Sequence, residues 1–107
     1  MAKLILISWR DIPAQLIAKQ GRETAKVQLS ARFQEAVDRA AMRAGRGSSD
    51  AYMADWKRTT LRECSNALAD ECAAEAAIQE ARYSDADLER LIRAHGVAHA
   101  PEAPSET

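Results

Sequence analysis

The sequence predicts an α+β fold in which a small sheet, a hairpin plus a third strand, packs with about three helices in the order ββαβαα. Three observations support this prediction. A branched apolar segment opens the 107-residue chain, a segment of alternating polarity follows it, and three later segments have helical patterns. Residues 1–96 are expected to form one compact domain. Residues 97–107, with two prolines and little apolar bulk, are expected to form a flexible tail.

The first two segments are predicted to form a hairpin. Residues 3–9 are apolar on both faces, which is typical of a strand that is covered on each side. Residues 10–13 form the predicted turn, since proline disfavours helix in the residue before it. Residues 14–20 then alternate, with Leu16 on one face and Lys19 on the other, as in a half-exposed strand.

The middle of the chain contains one clear helix and one ambiguous segment. Residues 21–29 have no clean period, so a loop is predicted there. Ser30 is expected to cap a helix that runs to about Ala44. Residues 52–61 fit one face of a helix as well as one face of a strand. Their aromatic residues and two threonines favour a strand, which would complete the sheet.

The last two predicted helices cover the sheet. Ser65 or Asn66 is expected to cap an alanine-rich helix that runs to about Arg82, where small side chains allow close but thin packing. Ser84 and Asp87 resemble a capping box, with aspartate in place of the usual glutamate, before a short terminal helix. If helices cover one face of the first strand, its other apolar row needs the last helices, a second copy or a different partner as cover.

Charge is divided unevenly along the chain. The net charge is −1, which gives no overall attraction to nucleic acid or to an anionic membrane. Residues 1–47 contain nine Lys and Arg against four Asp and Glu, whereas the remaining residues contain six against twelve. The protein is therefore either electrically two-faced, or its halves neutralise each other when folded.

The sequence predicts neither a membrane protein nor a secreted one. Its longest apolar run, residues 4–7, is far too short to span a bilayer or to form a secretory signal. Cys64 and Cys72 would lie about 12 Å apart along one helix, too far for a disulfide. Reduced thiols and a cytoplasmic location are expected.

No set of residues in the sequence predicts catalysis. A nucleophile, a base and an orienting group are not evident together. His95 and His99 lie near the end of the last helix, where the helix dipole explains an imidazole, and Gly96 breaks the helix between them. We therefore expect no enzymatic activity, no metal site and no cofactor.

A basic cluster is the main candidate binding site. Three arginines of the first long helix fall within about 40° on a helical wheel, and two more cations precede that helix. The cluster consists of Arg22, Lys26, Arg32, Arg39 and Arg43. Such residues suit a phosphate-bearing ligand, an RNA backbone or an acidic protein surface. The alternative is a solvated helix face with acidic residues interspersed.

Trp9 and Trp56 are the second candidate. Large aromatic residues in an alanine-rich chain usually anchor the core. An exposed tryptophan would instead mark a docking surface, because aromatic residues and arginine dominate interface hot spots. The sequence leaves both interpretations open.

Three segments resemble a known bacterial family. Residues 8–15 (SWRDIPAQ), 31–42 (ARFQEAVDRAAM) and 49–56 (SDAYMADW) are similar to the "virulence factor" domain proteins, and the resemblance spans about residues 3–95. It implies no catalytic residue set. In alphaproteobacteria such genes neighbour folate- and corrinoid-dependent one-carbon enzymes, which implies an accessory role beside them.

These observations favour a non-catalytic cytosolic accessory or adaptor protein. It would bind another protein, or a second copy of itself, through its sheet face and the basic edge of its helix. The alternative is a module that binds RNA or a phosphate-bearing ligand through the basic cluster.

Overall fold

A four-stranded antiparallel sheet forms one layer of the computed structural model, which describes residues 2–45 and 49–97. The strand order is β3-β2-β1-β4. The elements are β1 (Ala2–Trp9), β2 (Ile12–Gln20), β3 (Glu23–Gln28), α1 (Ala31–Arg43), α2 (Ser49–Ala54), β4 (Trp56–Cys64), α3 (Leu68–Arg82) and α4 (Asp85–Arg93). The predicted α+β class is confirmed. His99 and the predicted tail apart from Val97 lie outside the described residues.

The predicted hairpin is confirmed, and β1 lies in the interior of the sheet. It pairs with β2 on one side and with β4 on the other. The β1–β2 register shifts between Ile7 and Ser8, where Ser8 pairs with Pro13. A proline within a strand has no ladder donor, so an irregularity is expected there.

The predicted loop at residues 21–29 is wrong, because residues 23–28 form the edge strand β3. Ala25 and Val27 face the core, whereas Thr24, Lys26 and Gln28 are exposed. The inward residues are small and few, which explains why the alternation is weak in the sequence. The strand is held by pairing with β2 and by α3 packing across both strands.

Residues 52–61, for which helix and strand were both possible, contain the end of a helix and most of a strand. Residues 49–54 form the short helix α2, and the strand starts at Trp56 and continues to Cys64. The strand prediction is therefore confirmed from Trp56 onward and wrong for Tyr52. The Tyr52 ring stacks on Trp9 with centroids 6.1 Å apart and meets the Trp56 ring edge-on at 5.7 Å. These tertiary contacts determine where the helix ends and the strand begins.

The helix caps differ from one another. The Ser84–Asp87 capping box is present, with N···O distances of 3.1 and 2.9 Å. The predicted cap of α3 is wrong, because the N-cap is Ala67. Ser65 instead accepts a hydrogen bond from the Ala67 N–H and donates its own N–H to Glu71. An acidic residue in the first turn thus fixes the chain before α3.

The core lies between the sheet and the helices. Helix α3 packs across β2 and β3, while α1 packs against β2 and α4. The largest fully buried side chains include Trp9, Phe33, Leu4, Ile12 and Leu16. Burying side chains of this size provides most of the stabilisation available to an alanine-rich chain.

Gly96 closes the structure over Trp9. Its carbonyl accepts a hydrogen bond from the Asp11 N–H at 2.8 Å, which ties the end of α4 to the β1–β2 turn. The φ of Gly96 is +86°, and a Cβ at this position would lie 2.9 Å from the indole Cζ3 of Trp9. Glycine is required here both for the backbone angle and for the close approach.

We expect Gly96→Ala to lower the free energy of unfolding by about 3 kcal/mol, because alanine is strained at this φ and clashes with a rigid buried ring. Gly21 also has a positive φ, of +58°, but no described atom lies within 4 Å of an added Cβ. Gly21→Ala should therefore cost only about 1 kcal/mol. Urea denaturation measures both values. Equal losses would show that the approach to Trp9 is energetically irrelevant.

Two carboxylates of the helix layer hold the fold through hydrogen bonds. Glu80 accepts from the Ser30 N–H at 2.6 Å and from its hydroxyl at 3.0 Å. Burial alone would raise the pKa of Glu80, but the bonds from Ser30 and the guanidinium of Arg32 outweigh it and lower the pKa. The pKa of Asp87 is also lowered, mainly by the hydrogen bond from the Ser84 N–H. Both groups favour the folded state when ionised.

Stability should therefore decrease in acid. A carboxylate with a lowered pKa in the folded state stabilises the fold above its unfolded pKa, near 4, and this contribution is lost as the pH falls through the folded pKa. We expect the urea midpoint to fall steeply below about pH 4. Glu80→Gln should reduce this pH dependence, whereas Glu23→Gln, at an exposed position of β3, should leave it unchanged. An unchanged slope in Glu80→Gln would contradict the role of Glu80.

Candidate binding surface

On one face of the sheet, Ile5 and Ile17 lie outside the main core cluster, and only the Trp9–Trp56 end of this face packs against Tyr52 of α2 among the described residues. Residues paired across neighbouring strands point to the same face. The register pairs Ile5 with Ile17, and Ile17 in turn with Lys26. It also pairs Lys3 with Lys19, and Ile7 with Arg58. We call this the open face; its apolar centre is Ile5, Ile7 and Ile17, and its cations are Lys3, Lys19, Lys26 and Arg58.

The isoleucines of the open face are shielded by their neighbours and not by a helix. Ile5 is 4% exposed and Ile17 is 9% exposed, yet neither belongs to the main core cluster, which lies on the helix side with Leu4 and Leu16. Long side chains on the same face provide the cover, since lysine and arginine lay their aliphatic stems over apolar surface and keep the charge in water. The result is an apolar strip with charges held above it.

The cations of the open face have no ion-pair partner among residues 2–45 and 49–97. Half of the fourteen described lysines and arginines form such pairs: Arg10, Arg32, Arg39, Lys57, Arg62, Arg90 and Arg93. Of the seven others, four lie on the open face. The nearest acidic position on this face is Glu63, which is paired with Lys3 in the β1–β4 register but forms no ion pair with it. Free positive charge is thus concentrated on one surface.

Three of these cations surround a shallow depression. It has a volume of about 380 Å³ and is lined by Lys3, Lys19, Arg58, Ile5 and Thr60, together with the start of the β2–β3 turn. Ammonium and guanidinium groups around an apolar floor suit an anionic group carried on an apolar or extended chain. The depression therefore offers charge recognition and apolar contact together.

The sequence profile of the virulence factor family matches residues 7–92 of the chain. The chain belongs to this family. The match includes β2 and α1 in full and ends within α4, so the resemblance seen in the sequence is confirmed. Neither the curated proteins nor the solved structures compared with the chain include a match.

In this virulence factor family member, the five predicted cations do not form one cluster. Lys26 lies on the open face, whereas Arg22 lies in the β2–β3 turn. The length of β3, about 20 Å, separates that turn from the start of α1. Arg43 is exposed at the end of α1. Of the predicted set, only Lys26 shares a surface with the unpaired cations of β1, β2 and β4.

Two of the predicted arginines bind the protein's own helices. Arg32 pairs with Glu80 at 3.3 Å and with Asp85 at 3.1 Å, and its guanidinium lies 4.6 Å from the centre of the Phe33 ring. Arg39 pairs with Glu89 at 3.3 Å. These contacts join α1 to the acidic C-terminal half, so part of the charge difference between the halves is neutralised within the fold.

Trp9 and Trp56 are placed differently. Trp9 is fully buried, and its indole Nε1 donates a hydrogen bond to the carbonyl of Tyr52 at 2.9 Å. Trp56 is half-buried beside the same tyrosine. Trp9 is therefore a core anchor that no partner can reach without unfolding, and it joins α2 to β1.

Lys3, Lys19 and Arg58 were not among the residues predicted to bind. The alternation of β2 places Lys19 on the face opposite Leu16. In β1, Lys3 and Ile5 are two residues apart and therefore lie on the same face. Arg58 was hidden because the boundaries of β4 were uncertain. Only the register of three strands shows that these side chains share one face.

The described residues were also compared with what a metal site, a reactive cysteine and a membrane-spanning helix require. Residues 2–45 and 49–97 contain no group of three or more His, Cys, Asp or Glu side chains placed to hold a metal ion. Cys64 and Cys72 are buried free thiols, and burial raises the pKa of each. A raised pKa keeps a thiol protonated and a poor nucleophile. No helix of the described part has the length and apolarity needed to cross a membrane.

Because Leu16 and Ile17 lie on opposite faces of β2, we expect the same substitution at these two positions to lower the free energy of unfolding by different amounts. Leu16→Thr places a hydroxyl in the closed core and should lower the free energy of unfolding by about 4 kcal/mol. Ile17→Thr places the same hydroxyl on the open face, where it reaches water, and should cost only about 1 kcal/mol. Urea denaturation of both variants tests this. Comparable losses would mean that the open face is covered in solution.

Proposed function

We propose that this protein is a non-catalytic cytosolic adaptor or accessory protein that binds an acidic surface of another protein through the open face. The observation that carries the proposal is the group of four unpaired cations around an isoleucine strip. Apolar contact with surrounding charge complementarity is the usual composition of a specific protein interface. The face therefore suits a partner with carboxylates around a small apolar patch.

Charge also favours a different protein over a second copy. A two-fold dimer places the same surface of each subunit against the other. Two open faces would bring Lys3, Lys19, Lys26 and Arg58 against the same cations of the second copy. Like charges in contact across an interface cost several kcal/mol and suppress such pairing. The proposed partner is thus a separate, acidic protein.

RNA is disfavoured by the side chains of the open face. Proteins that bind single strands combine a basic groove with aromatic side chains on which bases stack. The apolar centre here consists of isoleucines, and Trp9 is buried in the core. Lysines around aliphatic residues suit carboxylates better than stacked bases. The predicted basic helix edge also has fewer free cations, because Arg32 and Arg39 are ion-paired.

The accessory role beside folate- or corrinoid-dependent enzymes stays a prediction from the family resemblance. The open face adds a criterion to it, because the enzyme contacted would need an acidic surface patch.

Capture from native lysate with matched charge variants tests the proposed function. The tagged full chain is compared with Lys19→Glu/Lys26→Glu on the open face and with Arg43→Glu/Arg82→Glu on α1 and α3, which carries the same change in charge. We expect wild type and the helix variant to retain the same acidic protein, and the face variant to retain about tenfold less. Binding should weaken as salt increases.

Two results would contradict the proposal. One is equal retention of the partner by both double variants, which would place the interface elsewhere. The other is recovery of nuclease-sensitive material in place of a protein, which would favour the RNA alternative.

A further inference from the structure

The edge strand β4 is exposed along most of its length. It pairs with β1 on one side only, and the helices pack chiefly over β1, β2 and β3. Residues 57–63 are exposed without interruption. Among the described residues, no backbone group of this stretch bonds to another backbone group outside the β1–β4 pairing, and the Glu63 carbonyl accepts a bond from the Arg62 guanidinium at 3.3 Å. Over residues 57–63, the strand therefore presents at one side of the sheet a row of N–H and C=O groups that no described strand pairs with.

An unpaired edge of this length can pair with the strands of other molecules, and proteins either prevent this pairing or bind partners through it. Long exposed edges pair with other chains, and charged residues and bulges are the common protection. β4 has a register shift near Leu61 and three cations, Lys57, Arg58 and Arg62. Such an edge discourages self-association but attracts a strand of opposite charge.

We propose that β4 binds an extended segment of the partner as a fifth strand of the sheet, with acidic side chains toward the open face and apolar side chains toward the helix side. The inference rests on the proposed function and names how the partner is held. On the open face, Arg58 and the neighbouring Lys3 have no ion-pair partner among the described residues. Glutamates or aspartates of an added strand would meet them there.

The helix side of β4 suits apolar side chains. A depression of about 490 Å³ lies there, with an apolar part formed by Leu6, Pro13 and Tyr83 and a polar part formed by Ser8, Thr59, Arg10, Asp11 and Lys57. Leu61, which has no β1 partner at the register shift, adds exposed apolar surface to the strand, at 37% exposure. The cations on this side are already bound, Lys57 to Asp11 at 3.0 Å and Arg62 to Glu71 at 3.5 Å. The side chains of an added strand would thus alternate between the cations of the open face and the apolar surface of the helix side.

A second copy of this chain is a poorer occupant. Antiparallel pairing of two β4 strands about Thr60 would place Arg58 of each opposite Arg62 of the other, and only Lys57 would face a carboxylate, that of Glu63. Like charges across a strand pair are destabilising. Charge complementarity therefore selects an acidic strand.

The probe is a peptide about eight residues long that alternates valine and glutamate, the usual length of a strand. Hydrogen exchange of the full chain with this peptide should show added protection at alternate amides of residues 57–63 and none along the other edge, β3. The control peptide has lysine in place of glutamate and should bind at least about tenfold more weakly. Absence of protection along β4, or equal binding of the lysine peptide, would overturn the inference.

Two proline variants test the edge directly. Successive residues of a strand direct their N–H groups to opposite sides, so one of Thr59 and Thr60 donates toward β1 and the other faces outward. Proline is tolerated in an edge strand only where the N–H faces solvent. We expect one of Thr59→Pro and Thr60→Pro to keep the wild-type melting temperature and to bind the valine-glutamate peptide about tenfold more weakly. Unchanged binding in a folded variant would overturn the inference.

The outcomes separate this inference from the proposed function. Loss of the lysate partner in Lys19→Glu/Lys26→Glu, with no protection along β4, would support the open face and overturn only strand addition. Protection along β4, with full retention of the partner by that variant, would support strand addition and overturn the open face as the interface. A dimeric solution mass without peptide, abolished by a folded proline variant, would overturn the inference in favour of a second copy.

Discussion

The structure depends on β1, a strand that is apolar on both faces and lies in the middle of the sheet. The helices fill one side, where Ala2 and Leu4 are completely buried. Ile5 and Ile7 lie on the other side, and no described helix reaches them. Their cover comes from long cationic side chains of neighbouring strands. In this sheet Lys3, Lys19 and Arg58 border the second face of the central strand, and the open face results from this arrangement.

The uneven charge along the chain has two uses in the fold. Arg32 and Arg39 of the basic half bind carboxylates of α3 and α4, which fixes α1 against the C-terminal helices. Lys3, Lys19 and Lys26, from the same half, have no such partner among residues 2–45 and 49–97. A cation in an ion pair within the fold already has an opposite charge beside it. A cation that lacks such a partner and lies above an apolar strip can bind another molecule. Pairing therefore separates the structural cations from those of the candidate binding surface.

Much of the fold could be predicted because local patterns are strong in several segments. The hairpin follows from branched residues and the alternation of β2, although Ile12 and Pro13 of the predicted turn lie within β2, and α4 follows from its capping box. β3 was missed since its inward residues, Ala25 and Val27, are too small and too few to give a clear period. The cap of α3 was also missed, because Ser65 bonds to Glu71 and the backbone before the helix. In both cases the deciding contact is tertiary or lies outside the expected local motif.

The sequence by itself determined the α+β class, a β1 that is apolar on both faces, the helical segments and the membership in the virulence factor family, because these properties depend on residues close together in the chain. Only the tertiary structure decided which cations are free and which face is open. Lys3, Lys26 and Arg58 are far apart in sequence and share a surface through strand register, while Arg32 is held by Glu80, 48 residues away. A one-residue change of register would place each side chain of a strand on the opposite face. For this reason no local pattern could define the site.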